Sequence, residues 1–64
     1  MNNSQISTEF LNLYRRLTYI KGLLHILYPM QDEASQEIFD NLIFSIQGDL
    51  ESIDSIREAL KEEQ

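Results

Sequence analysis

With 64 residues the chain is a single small domain, and a fold of that size buries only about 60% of the surface its unfolded form exposes. It has no cysteine and one histidine, which excludes disulfide staples and zinc–thiolate sites and leaves too few nitrogen or sulfur ligands for a usual structural metal. The net charge of −6 is unevenly divided, +2 over residues 1–31 (Glu9 against Arg15, Arg16 and Lys21) and −8 over residues 32–64, so the field repels nucleic acid.

No basic, apolar-cored leader opens the sequence, and its longest apolar stretch is broken by Lys21, Gly22 and His25 well short of a bilayer span. A cytoplasmic protein that does not enter membranes is expected. Without cross-links or metal, oligomerisation is the remaining common way to stabilise so small a core.

The first periodic segment predicts a helix over about 8–28. Ser7 is its expected N-cap, Glu9 complements the dipole in the opening turn, and Ile6 is placed to pack on Leu11 as a hydrophobic staple. Phe10, Leu13, Leu17, Ile20, Leu24 and Leu27 recur at alternating spacings of three and four, the pattern of a helix-pairing seam. Pro29 disfavours the helical conformation in Tyr28 and lacks a donor of its own, so the helix ends there and a turn covers about 29–31.

Asp32 can cap a second helix over about 32–62, with Glu33 adding negative charge at the positive pole. Phe39, Ile46, Ile53 and Leu60 repeat every seven residues, and Leu42, Ile43, Leu50 and Ile56 widen the stripe. Gly48 costs this helix about 1 kcal/mol relative to alanine but has no loop-forming neighbours. Arg57 and Lys61 suit its negative pole, while Glu58 and Glu62 repel and should fray the last turn.

The fold class is therefore all-α, an antiparallel two-helix hairpin over 1–64, in which residue i faces roughly residue 60 − i and Ser7 lies opposite about Ile53. At 1.5 Å per residue the first helix spans about 30 Å and the second about 45 Å, so the last turns of helix two overhang although Ile53, Ile56 and Leu60 continue the stripe there. Helix one carries a second apolar line, Leu11, Tyr19, Leu23 and Ile26, which a lone hairpin leaves uncovered. A homodimer that forms a four-helix bundle buries all seven of these side chains. The competing arrangement is a monomer whose first seven residues fold back over the overhang. The layout resembles that of hairpin-dimer regulators of plasmid copy number, in architecture and without a shared motif.

The chemistry-bearing residues are few. His25 lies near Asp32, Glu33 and Glu37 in sequence, but the residue three before it is Gly22 where a bundle metal site needs Glu, so its expected place is the negative end of the first helix, with no metal or cofactor. Asp49 occupies a seam-like position between Ile46 and Ile53: either it pairs with Arg15, Arg16 or Asn12 and fixes register, or Leu50 packs in its place and Asp49 turns to the rim. Glu33, Glu37, Asp40, Glu51, Asp54, Glu58 and Glu62 share the face opposite the seam, with Phe44 among them. Tyr14, Tyr19 and Tyr28 lack the positive charge that base stacking requires. No phosphate loop, nucleophile elbow or triad exists, so neither an enzyme nor a small-molecule substrate is expected.

Two roles follow. The first is a non-enzymatic protein–protein interaction module, a homodimer that acts on another protein as a regulator, adaptor or chaperone. The second is an inhibitory nucleic-acid mimic that captures a basic protein through Phe44, Glu51, Asp54 and Glu58.

Overall fold

A computed structural model of the chain describes residues 2–62. Two α-helices, α1 (Asn3–Leu27) and α2 (Glu33–Glu62), lie against each other, joined by a one-turn 3₁₀ helix at Tyr28–Met30. Among the described residues there is no strand.

The start of α1 corrects the expected boundary. The helix opens at Asn3, because Asn2 and Gln5 form a reciprocal capping box: Gln5 N–H donates to Asn2 Oδ1 (2.8 Å) and Asn2 N–H donates to Gln5 Oε1 (3.0 Å). Ser7 is thus inside the helix, and Ile6, whose N–H donates to the Asn2 carbonyl at 3.1 Å, cannot act as a staple ahead of a cap. Residues 3–7 do not fold back; they extend α1 along the end of α2, where Ile53 is buried and Ile56 stays 40% exposed.

Proline 29 ends α1 as expected, and the freed carbonyls find glutamine donors. Gln31 Nε2 donates to the Leu27 carbonyl (3.1 Å), and the Tyr28 carbonyl accepts from Gln31 N–H (3.1 Å) and from Gln36 Nε2 (3.3 Å). Asp32 then caps α2: its Oδ1 accepts from Ser35 N–H and its carbonyl from Gln36 N–H, both at 2.8 Å. The helix passes unbroken through Gly48 and continues to Glu62, with Lys61 Nζ 3.5 Å from Glu58 in the last turn.

The core is thin. Among the described residues only Ile46, Leu50 and Ile53 are buried, all on α2, and no side chain of α1 reaches that state. Ile6, Phe10, Leu17 and Leu24 of α1 and Phe39, Ile43 and Leu60 of α2 are half-buried around them. Ile53, expected on an uncovered overhang, is only 5% exposed because the extended α1 reaches it. Conversely Leu13 and Ile20, expected in the seam, remain 38% and 49% exposed.

Cross-helix contacts are offset from the expected register. Lys21 Nζ donates to Gln47 Oε1, and Tyr28 Oη donates to Asp40 Oδ2 at 3.2 Å, where the sequence placed partners near 39 and 32. Helical side chains lean toward their own N-terminus, so in an antiparallel pair a side chain of α1 leans away from the turn and meets one of α2 leaning back toward it. The 3₁₀ turn displaces the hairpin's midpoint further.

The molecule is long and poorly enclosed. Its Cα extents are 48 × 14 × 13 Å and its radius of gyration is 14.8 Å, where a compact chain of this length has about 11 Å. It exposes 4830 Å², against about 4,200 Å² for a compact monomer of its mass.

Candidate interaction surface

Two hydrogen bonds establish which edges of the helices share a side of the hairpin. Lys21 to Gln47 and Tyr28 to Asp40 close one edge of the seam with polar side chains. At 3.6 residues per turn, Ile20 and Ile46 stand on the other flank of the seam from Lys21 and Gln47. The opposite side of the hairpin is therefore formed by Leu13, Ile20 and Leu23 of α1 and by Ile38, Leu42 and Ile56 of α2.

These six are exposed by 38–60% in spite of being apolar, and helical spacing sets them on one side of the hairpin. At its N-terminal end Ile6, Phe10 and Leu13 line a shallow cleft of about 310 Å³, edged by Glu9 and Arg16. A second cleft, about 240 Å³, lies on α1 between Tyr14, Arg15, Thr18 and Tyr19.

The seven residues expected at an interface do not all fall on this face. Leu23 (55% exposed) and Ile56 (40%) do. Tyr19 and Ile26, the more exposed pair, lie on the side of α1 remote from α2, Leu11 and Leu60 are half-buried, and Ile53 belongs to the hairpin's own core. Leu13, Ile20, Ile38 and Leu42 were not expected there. For Leu13, Ile20 and Leu42 the signal is the pair of heptad lines Leu13–Ile20–Leu27 and Leu42–Asp49–Ile56 beside the seam; a single facing helix covers one line of each partner and leaves the other wet.

Asp49 is exposed while Leu50 beside it is 5% exposed, so Leu50 packs and the carboxylate turns to the rim. That rim is the apolar face, where Leu42 and Ile56 lie one heptad away on either side. On the polar side, Glu51, Asp54 and Glu58 are exposed, and Phe44, 82% exposed, is the barest large apolar side chain among the described residues. Asp40 and Gln47 are the members of this side that α1 engages.

Electrostatic perturbations are local. The Tyr28 hydroxyl is pushed up by desolvation, reinforced by the Asp40 charge and the hydrogen bond to it. The Asp32 carboxyl is held below the usual range by the hydrogen bonds from Ser35 at the start of α2. His25 is exposed in the last turn of α1, and no three His, Cys, Asp or Glu residues come together as metal ligands among the described residues. The Nε of half-buried Arg57 is itself buried and has no hydrogen-bond partner.

Comparison with protein-family models, curated proteins and solved structures finds no match to this chain. Among the described residues no helix is long and apolar enough to cross a membrane.

Proposed function

We propose that the protein is a non-enzymatic interaction module that works as a homodimeric helical bundle in the cytoplasm and presents its outer surface to another protein. The observation that carries this reading is the exposure of Leu13, Ile20, Leu23, Ile38, Leu42 and Ile56 on one side of a hairpin in which, among the described residues, three side chains are buried. Apolar burial is worth about 25 cal/mol per Å², and a chain of this length has little other means of stabilising itself. The excess of surface over a compact monomer, roughly 600 Å², approaches the 800 Å² per partner of a standard interface. The absence of cysteine suits a reducing compartment.

Sedimentation across micromolar concentrations tests the reading. The wild-type chain is expected at twice its 7.5 kDa mass. Ile20→Lys with Leu42→Lys is expected to bring it to the single-chain mass; a well-folded wild-type monomer throughout would refute the dimer.

A second reading rests on Phe44, whose 82% exposure among Glu51, Asp54 and Glu58 offers an aromatic anchor within an acidic field. In this reading the face opposite the dimer surface captures a basic, nucleic-acid-binding protein. Reversing those three charges should then abolish partner capture and leave the dimer intact. Persistence of capture after reversal would dismiss the mimic.

A further inference from the structure

The apolar face carries two interior charges of opposite sign. Arg16 stands midway along α1, one turn from Leu13 and Ile20, and Asp49 stands midway along α2, between Leu42 and Ile56 in its heptad line. Both are exposed, and they form no ion pair with each other; among the described residues the one ion pair is Lys61 with Glu58. No other Lys or Arg serves this face. Lys21 is held by Gln47 on the opposite edge, Lys61 by Glu58, Arg57 is half-buried, and Arg15 lies on the side of α1 away from the face.

A covering helix that lacked a cation would bury Asp49 unpaired, which is costly. Helix α2 has no cation to offer there, whereas α1 of a second copy brings its own Arg16 level with Asp49. We propose that two hairpins join through this face about a two-fold axis parallel to the helices. Each α1 lies antiparallel on the partner's α2, Arg16 pairs with the partner's Asp49 twice, and both turns come to the same end of the bundle.

The apolar contacts agree with this arrangement. Ile56 of one copy comes level with the cleft of Ile6, Phe10 and Leu13 on the other, and Ile38 comes level with Leu23 and Leu27. The alternative two-fold, perpendicular to the helices, sets α2 on α2 and turns at opposite ends. It brings the two Asp49 carboxylates toward each other, and even where Arg16 then meets Glu9, no cation reaches Asp49.

This inference rests on the homodimer reading, and the test separates the two. The chain has no cysteine, so Met30→Cys in the exposed turn accepts one spin label per copy. A label separation below about 30 Å is expected; one above about 40 Å, close to the length of α2, places the turns at opposite ends and overturns the topology while the dimer stands.

Charge reversal gives the second arm. Arg16→Glu and Asp49→Arg should each weaken self-association about ten-fold or more. Mixed together, the two variants should pair with each other in preference to themselves, read as the heterodimer mass by native mass spectrometry, because both contacts are then complementary. Absence of heterodimer preference overturns the Arg16–Asp49 pair. Wild-type chain that stays at single-hairpin mass defeats the dimer reading, and this topology with it.

Discussion

A methyl group added at Gly48 or at Gly22 meets no atom within 4 Å, so both glycines carry the entropic cost of a mid-helix glycine without a packing reason for it. Gly48→Ala and Gly22→Ala are each expected to stabilise the fold by about 1 kcal/mol, read as higher midpoints in urea at unchanged slope. Asp32 gives a residue-scale prediction with a sign. Its carboxyl is held low in the folded chain by the Ser35 hydrogen bonds, so in acid the unfolded state binds the proton more readily. The stabilisation is present above the unfolded-state pKa and is lost as pH falls through the lower folded-state value. Asp32→Asn keeps a capping oxygen but cannot titrate. Its melting temperature should fall less steeply with acidification than that of the wild type; parallel curves would show that the cap contributes nothing to acid sensitivity. Asp49 belongs at this scale too: the sequence left two readings open, and the burial of Leu50 decided for the rim.

At the scale of elements, much was legible because periodic hydrophobicity and helix termini are local signals. The end of α1 before Pro29, the cap at Asp32 and the passage of α2 through Gly48 all follow from residues within a turn of each feature. The start of α1 is not legible from Ser7, a good cap by residue type alone; the reciprocal bonds of Asn2 and Gln5 set the cap earlier. That error propagated to Ile53, which was assigned to an overhang that the longer α1 removes. The exposed face was less legible still, because seam and flank positions differ by one residue in seven, and which of them a partner covers depends on crossing geometry that periodicity does not encode. Asn2→Ala should cost about 1 kcal/mol and unravel the first turn of α1. Amide hydrogen exchange checks this: protection should fall at the first turn of α1 and, because Ile53 loses its cover, at the facing turn of α2, while the amides after Asp32 keep theirs.

At the scale of the whole molecule, concentration dependence of the melting temperature distinguishes the dimer from any self-sufficient hairpin. If folding and association are one event, unfolding converts one dimer into two chains, and a tenfold rise in concentration favours the folded side by about 1.4 kcal/mol per dimer. With an unfolding entropy of about 2.1 cal/mol/K per residue over both chains, that amounts to an upward shift of roughly 5 °C per decade of concentration. A monomeric hairpin shows no shift. Ile20→Lys with Leu42→Lys should abolish the dependence by placing charges where the two apolar faces meet. Reversal of Glu51, Asp54 and Glu58 should leave it in place, since those carboxylates stand on the other side of the hairpin. A midpoint indifferent to concentration in the wild type would mean that Ile46, Leu50 and Ile53, with their half-buried neighbours, stabilise 64 residues unaided, and the exposed face would then need no second copy to account for the fold.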